Sequence, residues 1–142
     1  MQRVRDLVGA VPALTGRVHG AAQLGHLHER GAMATAAPAA FVFGMGLTGG
    51  AADVATGMFR QQLERFVSVV LVARHAGDAT GQKAGDQIDE LKEEVILAVA
   101  GEDAGDAIGV FVVRKGELIS LAAGAATYQL DFAISDQLRI TR

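Results

Sequence analysis

Three stretches of the chain hold residue types that do chemistry elsewhere. The first is Gly44-Met-Gly46-Leu-Thr-Gly49, the G-x-G-x-x-G spacing whose glycines let a backbone close on a pyrophosphate. That chemistry needs a helix opening at the last glycine, then a second strand ending in a carboxylate. Here Gly50 follows at once, Gly57 interrupts what comes next, and the apolar run Phe66–Ala73 ends at Arg74. The segment reads as a flexible loop and no nucleotide cofactor is expected. The second stretch is His26-Leu-His28-Glu29, with His19 nearby. Histidines two apart on a helix point to different faces and do not converge on one ion, so no metal is expected. The third is Asp86, Asp89, Glu90, Glu93 and Glu94. They follow one face of a helix, which is a solvated face or one that meets basic residues of a neighbouring subunit, such as Arg3, Arg5, Arg60 or Arg65. Ser68, Ser120 and Ser135 stand in no nucleophile motif. No enzymatic activity is expected.

Composition narrows the class. A chain of 142 residues builds one domain with a real core, taken here as 1–142, and is short for two. Half the residues are apolar, so it folds, yet no apolar run approaches the length of a membrane span. The basic-then-apolar opening MQRVRDLVGAVP is broken by Asp6 and is too short for a signal sequence. Cysteine is absent, which excludes thiol chemistry and fits synthesis in a cytosol. A net charge of −3, six Phe, one Tyr and no Trp argue against a dedicated nucleic-acid reader.

The elements that would position these residues centre on Met58–His75. Phe66–Ala73 is apolar on both faces of an extended chain, the mark of a strand covered on both sides. The wet residues before it, Arg60, Gln61, Gln62, Glu64 and Arg65, are separated from it by no Gly or Pro. A strand over Gln61–His75 is roughly 50 Å long. A compact domain of this length is somewhat under 40 Å across, by its expected radius of gyration of about 14–15 Å. Such a strand outreaches its own domain and needs something to lie against.

Around it, Val4, Leu7, Val8 and Val11 predict an amphipathic helix ending near Pro12. Arg17–Ala21 reads as a short extended piece and Ala21–Glu29 as a short helix stopped by Gly31. Ala39–Phe43 is a strand, and Gly44–Gly57 a long mobile loop. The clearest helix is Gln82–Ala100, buried along Ile88, Leu91, Val95 and Val99 and stopped by Gly101. Gly109–Val113 and Glu117–Leu121 flank Arg114-Lys115-Gly116 as a hairpin. In Ala126–Ile140, Tyr128, Leu130, Phe132 and Ile134 alternate with Thr127, Gln129, Asp131 and Ser135, one dry face and one wet. The expected fold is α+β: a single mainly antiparallel sheet with helices packed on one face.

Several of these stretches together resemble the tail terminator proteins of long-tailed phages and of phage-derived gene transfer agents. The likeness is carried by the opening helix, Val18–Ala22 (VHGAA) running into Leu24, and Pro38–Val42 (PAAFV). It continues through Gln62–Phe66 (QLERF) entering Val69–Val72, the long helix with Asp86 and Leu91, and Tyr128–Phe132 (YQLDF) near Leu138-Arg139. Gly101–Gly105 departs from the aromatic and proline of the family at that place. The resemblance implies a homo-oligomeric, hexameric ring at the neck of the virion tail, assembled in the bacterial host cytoplasm. The ring caps the head-proximal end of the tail tube, stops elongation and offers the head-tail joining surface. Its partners are the tail tube protein and a head-tail connector or stopper protein, and DNA passes through the lumen unread. Exposure and position assign ring and tube contacts to Met45, Leu47, Thr48, Asp53 and Thr56 in the loop. They add Arg60, Gln62, Glu64 and Arg65 on the strand overhang and Thr127, Gln129 and Asp131 on the wet face. Another neck or tail-completion protein is the nearest alternative. A small-molecule-binding α+β regulatory domain, with Gly44–Gly50 over the ligand, is the more distant one.

Overall fold

The computed structural model describes residues 2–22, 38–75, 77–106, 108–122 and 124–142. Helix α1 is Gln2–Gly9, followed by a 3-10 turn at Pro12–Leu14. Strand β1 is Val18–His19, β2 Ala39–Ala55 and β3 Met58–Arg74; helix α2 is Gln82–Val99; β4 is Val112–Ala122 and β5 Ala125–Thr141. The expected helix at Ala21–Glu29, and with it His26, His28 and Glu29, lies outside the described residues beyond Ala22.

The five strands form one sheet in the order β1-β2-β3-β5-β4. β1 runs parallel to β2 and every other pair is antiparallel, so the sheet is mainly antiparallel as expected, and mixed by its one parallel pair. α1 and α2 pack on one face. Val4 and Val8 from α1, and Ala84, Ile88, Leu91, Val95 and Val99 from α2, are fully or nearly fully buried. They meet Ala40 and Val42 of β2, Val67, Val69, Leu71 and Ala73 of β3, and Leu130, Phe132 and Ile134 of β5. The strict alternation along β3 and β5 places these residues on one side. The other side buries a smaller cluster, Ala39, Phe41, Val70 and Val72, with Phe43 against it. This is why Val67–Ala73 is apolar at every position but Ser68, itself fully buried: both faces are covered there.

α2 spans the expected Gln82–Ala100 to within one residue. Asp78 lies just before it, and its Oδ2 accepts the backbone N–H of Ala84 at 3.0 Å. That satisfies one of the donors a helix start leaves open. The Asp78 carbonyl accepts the N–H of Gly124 at 2.7 Å, tying the helix start to the β4–β5 turn. Gly81 has φ +79°, and a Cβ there would stand 2.6 Å from the Ala122 carbonyl oxygen. At the far end Gly101, φ +84°, follows the last turn as the expected stop.

Two expectations are corrected. Gly44–Gly57 is not a loop: β2 runs on through Ala55, paired with Met58–Phe66 of β3, and the reversal shrinks to Thr56-Gly57. Glycines carry no side chain to show a two-residue period, so the sequence hides the strand; the backbone ladder to β3 builds it. The irregularity is absorbed as shifts of register between Gly44 and Gly46 and between Gly49 and Ala52. Gly46, with φ +144°, takes a conformation that other residues rarely adopt. The second correction is the hairpin at Arg114-Lys115-Gly116. β4 passes straight through these residues, with a register shift between Val113 and Lys115, and turns instead between Ala122 and Ala125. As an edge strand it keeps its charges in water, so Arg114 and Lys115 do not stop it. The Tyr128 hydroxyl packs over Gly116, where a Cβ would have to push it aside.

Candidate assembly surface

β2, β3 and β5 are each 17 residues long, about 56 Å if fully extended. The helix layer covers only part of that length. In β3 every residue from Val67 to Ala73 is buried and none from Met58 to Phe66 is. In β2 burial stops at Val42, and in β5 at Ile134. The remainder is a three-stranded finger, roughly 44–55, 58–66 and 135–141, projecting past the core. The protrusion expected from the apolar run and its wet leader is therefore present, and three strands share it.

The register sorts the finger's residues into two faces. On the side continuous with the helices stand Leu47, Val54, Phe59, Leu63, Leu138 and Ile140. Val54 is 77% exposed and Leu47 57%, while the other four are half-buried. Arg65 and Asp136 share that side as an ion pair at 3.2 Å. On the opposite side Arg60 pairs with Asp53 at 3.2 Å, and Glu64 with Arg114 of β4 at 3.6 Å. Gln62 stands opposite Gln137. Arg114 also lies over the Phe66 ring, 5.5 Å from its centre.

The contact residues expected from the sequence thus divide. Leu47, Thr48, Asp53, Arg60, Gln62, Glu64 and Arg65 are brought together on the finger, with Thr56 in the turn at its tip. Met45 sits at the finger's root, in a shallow groove with Phe66, Val113, Lys115 and Asp131. Thr127, Gln129 and Asp131 belong to the body of the sheet, opposite Val72, Val70 and Ser68. They are drier than alternation suggests: Thr127 is 9% exposed and Gln129 and Asp131 are half-buried, the Gln129 amide donating to the Asp131 carboxylate at 3.1 Å. Arg3, Arg60 and Arg65, pictured as partners for the acidic helix of a neighbour, pair within the chain, Arg3 with Glu102 at 3.2 Å.

Sequence reasoning missed β4. All 11 of its residues are exposed, among them Val112, Val113, Leu118, Ile119 and Leu121. The signal was available in the run VFVV and in LISL, but the turn placed at Arg114–Gly116 divided them. Among the described residues no group of three or more His, Asp or Glu could hold a metal ion. Gly44–Gly49 lies in a strand followed by another strand, so the glycine fingerprint lacks the helix N-terminus that would receive a phosphate.

Three long strands outrun their core, and the sheet's edges carry exposed apolar side chains. The sequence model of the phage tail terminator protein family matches residues 1–142, and the chain belongs to that family. Its class is thereby a structural protein of the virion tail, in contact with other tail and head proteins, and the family is not one of enzymes. No curated protein matches the chain. Among the described residues no helix is long and apolar enough to cross a membrane.

Proposed function

We propose that the chain acts as one domain and assembles into a ring, six-membered as the family resemblance implies. The ring caps the head-proximal end of the tail tube, halts its growth and presents the surface that joins the head. The observation that carries this reading is the finger, a half-apolar, three-stranded extension that no other element among the described residues covers. A lone subunit gains little from building it; a ring on a tube end has neighbours for it to touch. Charge supports passage of DNA without retention. The chain is net negative, and Arg3, Arg60, Arg65, Lys92, Arg114 and Lys115 already sit in ion pairs. A chain of net negative charge offers little to displace the counterions of a phosphate backbone. Contacts to tube and connector fall to the finger and its root, at Met45, Leu47, Asp53, Arg60 and Arg65. Assembly takes place in the host cytoplasm.

The test is tail assembly with and without this chain. Without it, tubes of uncontrolled length that fail to join heads are expected; adding it back restores one length. Electron microscopy of the restored tails then shows a ring at the head-proximal end. Tails of normal length made in its absence, or this chain located elsewhere on the particle, overturn the reading.

A further inference from the structure

Resting on the ring reading, the surfaces by which one copy meets the next can be derived from symmetry. Every subunit of a ring that caps a tube presents the same end to the tube. Neighbours are then related by rotation about the tube axis, and a twofold contact, which inverts one partner, is excluded. The interface must be heterologous, joining two different patches of the same chain. The sheet has two different open edges. On one side β1 pairs β2 only at Ala40 and Phe41, and among the described residues nothing pairs with that edge of β2 from Val42 to Ala55. On the other side no described strand pairs with the outer edge of β4.

We infer that the free edge of β2 in the finger of one copy lies antiparallel along the outer edge of β4 in the next. Both edges are of similar length, 11 residues in β4 and the finger part of β2. Both expose large apolar side chains, Leu47 and Val54 on one and Val112, Leu118, Ile119 and Leu121 on the other. Long apolar edges left open are aggregation hazards that a chain retains only where a partner pairs with them. The glycines at 44, 46, 49 and 50 leave the β2 edge nearly bare, which is where a second backbone comes close.

The register fixes the geometry. β4 is level with Phe66–Arg74 of β3, whereas the free part of β2 is level with Met58–Phe66. The two edges are staggered by about eight residues, about 25 Å, across a sheet whose repeat from β2 to the neighbour's β2 is about 19 Å. A flat ring absorbs that stagger only if the strands lean about 50° from the ring axis, a little beyond the tilt of closed barrels. The contact is about 36 Å long and about 10 Å thick, roughly 360 Å² on each partner. Two such faces fall well short of the ~1,200 Å² of a stable pair. Each subunit of a ring makes the contact twice, so a closed ring holds where an open dimer does not. A tube end that gathers subunits raises their effective concentration and sets when closure happens.

The chain has no cysteine, so introduced ones report alone. Four single variants, Leu47→Cys, Val54→Cys, Val113→Cys and Leu121→Cys, all on the helix face of the sheet, are mixed in pairs on purified tails and in concentrated solution and treated with a short bismaleimide. The L47C with L121C and V54C with V113C mixtures should give cross-linked dimers at least tenfold above L47C with V113C. Each variant alone should give none. Rings seen by microscopy on these tails, with all pairs equally poor, overturn the edge contact and leave the ring intact. Strong L47C–V113C product overturns the antiparallel order, and self-cross-linking of a single variant overturns the heterologous contact. No ring and no product overturns both this inference and the reading beneath it.

Discussion

Reversing two ion-paired arginines of the finger, Arg60→Glu with Arg65→Glu, separates assembly from folding. Arg60 lies 3.2 Å from Asp53, and Arg65 3.2 Å from Asp136, with all four side chains partly in water. An exposed pair of this kind contributes about 0.5 kcal/mol, between the usual limits of zero and one. Replacing attraction by two carboxylates about 5 Å apart adds about 0.8 kcal/mol of repulsion at the dielectric of water. Each site therefore costs about 1–1.5 kcal/mol and the double variant about 2–3 kcal/mol. Domains of this size are stable by about 5–15 kcal/mol, so the monomer stays folded. Its melting temperature should fall by roughly 5–10 °C. At a subunit or tube contact the same charges meet a partner surface, where misplaced like charges cost several kcal/mol. About 3 kcal/mol per contact is more than a hundredfold in the concentration needed to assemble. Circular dichroism melts should show a cooperative fold, while tails made with the variant should run past their normal length. The Arg60→Lys, Arg65→Lys pair keeps the charge and should assemble. A double reversal that yields normal tails refutes the assignment of the finger as a contact surface.

Further outcomes follow from single sites. Asp78→Ala removes the acceptor of the buried Ala84 N–H and should cost about 1–2 kcal/mol, read as a lower urea midpoint at unchanged slope. Gly81→Ala meets both a positive φ and the Ala122 carbonyl, so it should cost about 2 kcal/mol or more, read as a lowered melting temperature. Phe132→Ala empties a fully buried site between sheet and helices and should cost about 3–5 kcal/mol, enough to lose much of the folded population in a melt. Gly57→Val strains the turn at the finger tip, where φ is +74°. It should speed hydrogen exchange at 50–62 while leaving exchange in Val69–Ala73 unchanged.

Much of the fold was readable because its strongest signals are local. Val67–Ala73 announces a strand covered on both faces, and the spacing of Ile88, Leu91, Val95 and Val99 announces a helix with one dry stripe. Gly101 marks its end in advance because few other residues take a positive φ there without strain. The mostly polar leader Arg60–Arg65, joined to the apolar run by no Gly or Pro, was enough to foretell that a strand would leave the core. Resemblance over short stretches was enough to suggest the family to which the whole chain belongs.

What stayed hidden depended on partners distant in the sequence. Gly44–Ala55 has no side-chain period, and it is a strand only because β3 lies beside it. Arg114–Gly116 carries turn residues but is held straight by β5, whose Asp131 and Leu130 fall opposite Lys115 and Gly116. The outline of Thr127 and Asp131 as wet came from alternation, which says which face a residue takes and nothing of what crowds that face. By itself the amino-acid order determined the two helices, the central strand and the excess length of the sheet, since each follows from neighbours within a few turns or a few pleats. Only the tertiary structure decided that three strands share the finger, that β4 is an open edge, and how far the two free edges are offset. Those depend on strand order and register, and backbone pairing between remote segments leaves no imprint on either segment alone.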